Sequence, residues 1–321
     1  MREEWDLALR GPVRGAWMRA KMASAPSKGS SRAASFKARL TSTILLWGIV
    51  AGVFASGQLW ALAGMVALLA LLGSFEFLVL TREMPGAECR RWGIGVGVVF
   101  LAVLVGQTVT GSLDATGDFV NEIMGLAAVT LGSFILRLKF PIENDDSVRA
   151  VTLAVLGFIY IPILFAGFII RLTLCPPVDD PVSSGFWVVL LVVLVAKFTD
   201  MGAYLVGTLI GKHKAIPHIS PAKSWEGYLG SLVFAQAGAF GIYALAGERL
   251  VWLGVGHVAV LGFLLAFAAM VGDLAESILK RSLQVKDSGQ VLPGIGGILD
   301  LVDSLCFALP VAYFYLYLTV L

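Results

Sequence analysis

Residues 186–208 read FWVVLLVVLVAKFTDMGAYLVGT, and only Lys197 and Asp200 in this stretch carry a charge. An apolar run of this length can cross a bilayer as a helix, because about 20 helical residues span the hydrocarbon core. Eight more apolar stretches flank it, and together they predict about nine transmembrane helices. The other stretches lie near residues 42–56, 58–80, 93–110, 119–138, 150–172, 227–247, 252–279 and 303–321.

The composition of the whole chain indicates the same fold class. Of the 321 residues, 58% are hydrophobic and only 14% are charged, whereas a soluble domain averages roughly 25% charged residues. These proportions exclude a soluble protein, a disordered chain and a disulfide-rich scaffold. We therefore predict an all-α, polytopic integral membrane protein. The net charge of +2 gives no indication of a nucleic-acid partner, and the three cysteines have no CxxC spacing typical of a zinc site.

The distribution of lysine and arginine predicts the domain organisation and the orientation. Residues 1–40 contain nine basic and three acidic residues, and we expect a mobile cytoplasmic tail near anionic lipid headgroups. With nine helices, the loops on the side of the tail contain twelve more basic residues, and the opposite side contains only Arg171 and Arg249. The positive-inside rule then places the N-terminus in the cytoplasm. We expect N-terminal transmembrane helices over residues 41–180 and a catalytic region with a cytoplasm-facing site over residues 181–321.

Six charged residues lie inside predicted spans. Each costs about 2.5–3.5 kcal/mol on insertion scales, so a charged residue in a span is a candidate for function. Four of the six belong to the C-terminal half, which we therefore expect to contain the site. The six are Glu76, Glu122, Lys197, Asp200, Asp273 and Glu276.

The first polar segment of the C-terminal half runs from the helix of Asp200 into the loop after it. Asp200 and Gly207 fall on one helix face, where small residues let a ligand or another backbone approach. The loop contains a cationic cluster, and for Lys212 and Lys214 the positive-inside bias and phosphate binding stay equally open. It ends in SPAKSWEG (residues 220–227), which places hydroxyls, a lysine and an acid in one turn at the membrane surface.

The second polar segment is a helix on which Asp273, Glu276, Ser277 and Lys280 share one face, at positions i, i+3, i+4 and i+7. Two acids within a helical turn repel each other unless a proton or a cation lies between them. The simpler alternative is a buried Glu276–Lys280 ion pair beside a structural aspartate. A polar stripe on a spanning helix favours a functional cavity, because it needs polar surroundings to face.

The third polar segment, residues 286–304, reads KDSGQVLPGIGGILDLVDS. Its glycines allow a tight loop that presents backbone N–H groups to an anion, and Asp300 and Asp303 then open an apolar helix. A plain turn and a plain N-cap are the simpler alternatives, but they do not explain two acids at the start of an apolar helix. Carboxylates of this kind bind Mg²⁺, and lysines and N–H groups bind phosphate. The three segments therefore predict phosphoryl or nucleotidyl transfer to a lipid.

These segments resemble the phosphatidate cytidylyltransferase (CDP-diacylglycerol synthase) family. The resemblance implies an all-helical membrane enzyme of phospholipid biosynthesis that condenses CTP with phosphatidic acid and releases pyrophosphate. It also implies Mg²⁺, with a monovalent cation such as K⁺ nearby, and a bacterial inner membrane. The motifs are DMGAYLVG at 200–207, GKHK at 211–214, SPAKSWEG at 220–227 and SILKRSLQVKDSGQVLPGIGGILDLVDS at 277–304, with Phe75 and Glu76 as the match in the N-terminal half.

The resemblance also implies roles for individual residues, with no protein nucleophile. Metal-binding residues would be Asp273, Asp300 and Asp303, which together with Lys280 and Lys286 form the predicted catalytic set. The predicted substrate-binding residues are Asp200, Lys212, Ser220, Lys223, Ser224, Glu226, Ser277, Arg281, Asp287, Gly294 and Gly296.

The chain departs from the family pattern at two positions. Ile295 stands where the family usually has His, and Leu301 where it usually has Arg. Both changes remove a cationic contact, so a divergent lipid substrate and a degenerate enzyme both stay open. A related CTP-using lipid enzyme with another acceptor, such as a polyprenol or phytol kinase or a CDP-archaeol-type synthase, is an alternative. An ion-coupled transporter that uses the intramembrane acids as a relay is a further alternative. Homodimer formation also stays open.

Overall fold

The structure is a computed structural model that describes residues 32–113, 119–142, 144–285, 288–289 and 296–320, with the backbone alone for residues 32–40 and 42. The tail predicted over residues 1–40 therefore lies largely outside the described residues. In chain order the helices are α1 (Arg32–Ser56), α2 (Leu59–Leu80), α3 (Ala87–Thr110), α4 (Val120–Arg137), α5 (Asp146–Phe158), α6 (Phe168–Leu174), α7 (Pro181–Ile210), α8 (Trp225–Ala246), α9 (Gly254–Ser282) and α10 (Ile298–Thr319).

The all-α membrane fold is confirmed. In the part of the chain that the structure describes, seven helical stretches are long and apolar enough to cross a membrane, and a shorter apolar helix covers Thr43–Ser56. The stretch Trp225–Ser282 contains two helices, α8 and α9, joined by a 3₁₀ helix at Gly247–Leu253. Each of the nine predicted spans thus falls on helix, while the number of crossings and the cytoplasmic N-terminus stay predictions.

One long helix is interrupted in its middle. Between α5 and α6 the chain forms a π-helical segment, Ile159–Gly167, which contains Pro162. Proline has no N–H to donate and its ring clashes with the preceding turn, and local π geometry is one way in which a helix accommodates it. The segment packs on α2 and α10, so it links the N-terminal helices to the helix that carries Asp300 and Asp303.

The C-terminal half is built on α7. This helix packs along α8, and α9 packs between α8 and α10. The predicted close approach at the small-residue face of α7 is present, because Gly207 faces Gly227 at the start of α8. These contacts bring the polar ends of α7, α9 and α10 to the same end of the bundle.

A short hairpin follows α7 and was not predicted. Strand β1 (Lys214–Ile216) pairs antiparallel with β2 (Ser220–Ser224), and Lys214 lies opposite Ser224. The predicted SPAKSWEG turn is therefore a strand followed by the first turn of α8. It forms a cap over the polar end of α7.

Glu122 is a candidate for function because it lies in a span, but its ion pair with Arg171 indicates a structural role. Arg171 Nε and Nη2 donate to its two carboxylate oxygens at 2.9 and 3.0 Å. Both side chains are buried, and the Arg171 guanidinium lies 4.1 Å from the centre of the Phe119 ring. A buried bidentate pair of this kind joins α4 to α6.

Candidate active site

Acids and lysines from three helices and the hairpin meet at one end of the bundle. Among the residues that the structure describes, five carboxylates and three ammonium groups form one connected group of neighbours, so the described group has two more acids than lysines. An excess of acid in one place attracts cations. We call this group the acid–lysine cluster; its members are Lys197, Asp200, Lys223, Asp273, Glu276, Lys280, Asp300 and Asp303.

Lys280 joins two acids of the cluster. Its Nζ lies 2.6 Å from Glu276 Oε2, one turn earlier on α9, and 2.8 Å from Asp300 Oδ1 at the start of α10. The intrahelical Glu276–Lys280 pair, considered above as the simpler alternative, is therefore present. Its lysine also reaches across to Asp300, so the pair is part of the site and not only of α9.

Lys223 of β2 forms the second ion pair of the cluster. Its Nζ lies 2.9 Å from Asp273 Oδ2. Burial disfavours the ammonium form, but Asp273 and Asp200 outweigh this effect and hold the pKa of Lys223 above its ordinary value. Lys223 is therefore charged at neutral pH and can hold an anion at the cluster.

Asp303 is the most buried aspartate of the cluster. It is 6% exposed, and one of its oxygens accepts the backbone N–H of Ser304. Its charged neighbours include Lys197 and Asp200 of α7. Lys197 Nζ donates to the Leu301 carbonyl at 3.0 Å and lies 3.7 Å from Asp200 Oδ2. This lysine therefore ties α7 to the first turns of α10.

The first turn of α10 is fixed by two carboxylates. Asp300 Oδ2 accepts the N–H of Gly297 at 2.8 Å, which caps the helix from within. Glu76 of α2 accepts the N–H of Leu299 at 2.9 Å through Oε2. Acids at a helix N-terminus are stabilised by the free N–H groups and the helix dipole. Together they fix the direction in which the Asp300 side chain leaves α10.

Glu76 also lies between the two described ends of the glycine-rich segment. A Cβ added at Gly289 would collide with Glu76 Oε1, and one added at Gly297 would come within 2.6 Å of Oε2. The backbone at these two positions packs directly on the carboxylate, and a larger side chain at either position would have to displace it. The sequence indicates Glu76 as a charge in a span and as a motif match, but it does not place this residue in the site. Its partner Leu299 lies 223 residues away, and no spacing rule connects such positions.

Two of the predicted substrate-binding residues, Ser224 and Glu226, hold the local structure around the start of α8. Ser224 is the N-cap of α8, because its Oγ accepts the N–H of Gly227 at 3.2 Å. Glu226 accepts the N–H groups of Lys212 and His213 and lies 2.6 Å from His213 Nδ1. These contacts hold the hairpin against α8. They position Lys223, whose ion pair belongs to the cluster.

The remaining predicted residues lie around the cluster or outside the described part. Ser220 starts β2 and Ser277 is half-buried on α9, whereas the side chains of Lys212 and Arg281 are exposed. Gly296 lies against Asp300, since an added Cβ would come within 2.7 Å of Oδ2. The predictions for Lys286, Asp287 and Gly294 lie outside the described residues.

The carboxylates of the acid–lysine cluster are of the chemical type that binds a magnesium ion. Carboxylate oxygens are the protein ligands that Mg²⁺ prefers, and Asp273, Asp300 and Asp303 all belong to one cluster that is rich in acid. Within the described ranges, no three His, Cys, Asp or Glu side chains converge as a ready metal site. Lysines already contact Asp273 and Asp300. An ion would therefore share these acids with the lysines.

The fold and the site together define a polytopic membrane protein with an acid–lysine cluster at the ends of its C-terminal helices. The sequence model of the cytidylyltransferase family matches residues 37–319. A phosphatidate cytidylyltransferase of Bacillus subtilis is 31% identical over 277 residues, 86% of this chain and 94% of the relative. One of Haemophilus influenzae is 36% identical over 200 residues, and the match covers 60% of this chain and 65% of that relative, a little under two thirds. The chain belongs to the cytidylyltransferase family.

Proposed function

We propose that the protein is a phosphatidate cytidylyltransferase, a nucleotidyltransferase of phospholipid biosynthesis that converts CTP and phosphatidic acid to CDP-diacylglycerol and pyrophosphate. The observation that carries this proposal is the acid–lysine cluster at the ends of membrane helices. There a water-soluble nucleotide and a lipid headgroup can meet. The names of the relatives in Bacillus subtilis and Haemophilus influenzae support the same activity.

The reaction forms one bond and breaks one bond at the same phosphorus atom. An oxygen of the phosphatidate phosphate attacks the α-phosphorus of CTP, and the bond from that phosphorus to the β-phosphate oxygen breaks. Pyrophosphate leaves with the bonding electrons, so no side chain has to become covalently attached. Positioning and neutralisation of charge supply most of the catalysis in such transfers.

The lysines of the cluster supply positive charge at this point. Lys223 and Lys280 are each held in place by an acid at 2.9 Å or less, so their ammonium groups are oriented before substrate binds. Oriented charges of this kind stabilise negative charge that develops in the transition state without reorganisation at the moment of reaction. We assign Lys223 and Lys280 to the phosphates of the two substrates.

Asp273, Asp300 and Asp303 would hold Mg²⁺, with K⁺ as a second cation near them. A bound divalent ion neutralises phosphate charge and orients the triphosphate. The carboxylates would in turn keep the nucleotide phosphates next to Lys280. We place the protein in a bacterial inner membrane with this site facing the cytoplasm, where CTP is made.

Light scattering of the detergent-solubilised protein tests whether it forms a homodimer.

The test follows the cytidine label into lipid. Purified protein in mixed micelles receives CTP labelled in the cytidine ring, Mg²⁺ and phosphatidic acid. We expect label in the organic extract only when both substrates are present. Label that appears only with another lipid phosphate would contradict phosphatidate as the acceptor. No cytidine-labelled lipid with any lipid phosphate would contradict nucleotidyl transfer itself.

A further inference from the structure

Tyr160 is a buried tyrosine of the π-helical segment. The residue is 8% exposed, and its hydroxyl has no hydrogen-bond partner in the part of the chain that the structure describes. A buried hydroxyl without a partner is unfavourable because it has given up its hydrogen bonds to water, so such groups are rare and need an explanation. π-helical turns are also frequent at functional sites. The groups around this hydroxyl therefore indicate what it does.

The packing of the π-helical segment places Tyr160 beside the acid–lysine cluster. Its ring meets the Phe307 ring of α10 edge to face, with 6.4 Å between the two centroids. Phe307 lies one helical turn after Asp303, on the same face of α10. The neighbouring Ile161 and the first residue of α10, Ile298, approach the same glycine of α2. These contacts hold the tyrosine against the helix that carries two acids of the cluster.

Acids from two helices lie near the hydroxyl. The titratable groups that interact electrostatically with it are Asp273 and Glu276 of α9 and Asp303 and Cys306 of α10. Glu276 also has an oxygen, Oε1, that is buried and has no hydrogen-bond partner among the described residues. A buried donor without an acceptor and a buried acceptor without a donor therefore share one neighbourhood.

The other oxygen of Glu276 belongs to the ion pairs of the cluster. Oε2 lies 2.6 Å from Lys280 Nζ, and the same ammonium lies 2.8 Å from Asp300 Oδ1. The carboxylates of Glu276 and Asp300 are also close to each other, so like charges meet around one lysine. A second donor on Glu276 would stabilise this arrangement, because buried carboxylates are favourable only when they accept hydrogen bonds.

We propose that Tyr160 is a positioning residue of the active site, whose hydroxyl donates to Glu276 Oε1 and thereby fixes the orientation of Lys280. The inference rests on the proposed function, in which Lys280 contacts a substrate phosphate. Hydrogen bonds linked in a chain strengthen one another inside a protein, so an orientation fixed at Glu276 is passed to the lysine. Hydrogen bonds of active sites often tighten only when substrate is bound, and we expect this bond to be shortest in that state.

A variant that lacks only the hydroxyl tests the role in catalysis. Tyr160→Phe keeps the ring on Phe307, and we measure transfer of cytidine label to phosphatidate in micelles. We expect kcat to fall on the order of tenfold, as for loss of a hydrogen bond to a charged group. KM for CTP should change less, because Lys280 still reaches the phosphates but is no longer held towards the charge that develops in the transition state.

Tyr315→Phe is the matched control. It removes a hydroxyl from α10 that lies 2.8 Å from His257 Nδ1 and is not part of the acid–lysine cluster. This variant loses a hydrogen bond of its own, so it reports the effect of a purely structural loss. We expect its kcat to equal that of the wild-type protein.

The thermal unfolding midpoint tests the hydrogen bond without any assay of activity. If the hydroxyl donates to Glu276, Tyr160→Phe lowers the midpoint, because a buried acceptor loses its donor. In a Glu276→Ala background the same change should have no further effect, since the acceptor is already gone.

Three results would overturn the proposal. They are a wild-type kcat in Tyr160→Phe, a midpoint that is unchanged or raised by this variant, and an equal fall of the midpoint with and without Glu276. If the wild-type protein transfers no cytidine label, the proposed function fails, and the midpoints still show whether the Tyr160–Glu276 bond exists. The two failures are therefore distinguishable.

Discussion

Glu76 links the two halves of the protein at the scale of a single side chain. It comes from α2 in the N-terminal half and accepts the N–H of Leu299 at the start of α10. Hydrogen bonds to a charged group contribute about 1.5–3 kcal/mol, and loss of a buried partner adds the cost of an unsatisfied donor. We therefore regard Glu76 as the residue that positions Asp300 and the ends of the glycine-rich segment.

Replacement of Glu76 tests this positioning role. Glu76→Ala leaves the Leu299 N–H without its acceptor, and we expect kcat to fall roughly tenfold to a hundredfold with a faster hydrogen exchange of the Leu299 amide. Glu76→Gln keeps one carbonyl acceptor and should retain more activity than Glu76→Ala. Glu83→Gln is the matched control, because Glu83 follows α2 and its side chain is 85% exposed. Wild-type kcat and exchange in Glu76→Ala would contradict the role.

Lys223 offers a prediction about charge. Lys223→Gln removes the ammonium that faces Asp273, and we expect kcat/KM to fall roughly tenfold to a hundredfold because a charged contact to phosphate is lost. Lys139→Gln, an exposed position after α4 and away from the cluster, serves as the control and should change little.

The pH dependence of the wild-type protein follows from the raised pKa of Lys223. A lysine with a raised folded-state pKa contributes its ion pair fully below its ordinary pKa and loses that contribution only as the pH rises through the raised value. Raising the pH to about 9, still below the ordinary lysine pKa, should therefore not reproduce the defect of Lys223→Gln. If the wild-type protein loses activity below pH 9 to the same extent as Lys223→Gln, the assignment of a charged Lys223 to substrate phosphate is contradicted.

Much of the site was predictable at the residue scale, for a physical reason. The side chains on α9 share a face, and helical periodicity alone brings Glu276 and Lys280 together. The contact from Lys280 to Asp300 and the one from Glu76 to Leu299 were not predictable. They join different helices, and spacing along the chain does not determine how helices pack.

At the scale of elements, a buried ion pair joins α4 to α6. Glu122 and Arg171 are 7% and 1% exposed at their side chains. Removing one partner of a buried ion pair leaves the other charge uncompensated and costs about 3–5 kcal/mol. The pair lies on helices that do not contribute to the acid–lysine cluster, so it should matter for stability more than for chemistry.

Glu122→Gln tests this reading. We expect a clearly lower thermal unfolding midpoint in detergent, with kcat per folded molecule close to that of the wild-type protein. Glu88→Gln is the comparison, because Glu88 pairs with Arg137 at 2.9 Å in a more exposed setting, where ion pairs contribute less. Equal loss of stability in the two variants would show that burial does not govern the strength of these pairs.

The helices were largely predictable and the hairpin was not. A span of about 20 apolar residues is a strong signal because the bilayer thickness fixes its length. Strands of three and five residues, β1 and β2, carry no periodic pattern of their own. The π-helical segment at Pro162 was also missed, since its residues are as apolar as the helices on either side.

At the scale of the whole molecule, the C-terminal half supplies the acid–lysine cluster and the N-terminal half supports it. Glu76 of α2 positions the start of α10, and the π-helical segment packs on both α2 and α10. The sequence motifs lie almost entirely in the C-terminal half. The motifs therefore indicate the chemistry, but they leave out the N-terminal helices that hold the start of α10 in place.

The orientation in the membrane is a further whole-molecule prediction. Lys212→Cys and Glu248→Cys place thiols at exposed positions at opposite ends of the bundle, and the three native cysteines are buried. If the positive-inside rule holds, a membrane-impermeant maleimide added outside intact spheroplasts should label Glu248→Cys and leave Lys212→Cys unlabelled until the cells are opened. The reverse pattern would place the site outside the cytoplasm.

The most direct test of the central claim is release of pyrophosphate by the purified protein with CTP, phosphatidic acid and Mg²⁺, measured beside Asp300→Asn. Asp300 contacts Lys280 and caps α10, so this variant alters the centre of the cluster with an almost isosteric side chain. We predict release that requires both substrates and Mg²⁺ and that falls by two or more orders of magnitude in the variant, as for loss of a group that stabilises the transition state. Release that is equal in the two proteins would contradict the claim that the acid–lysine cluster performs nucleotidyl transfer.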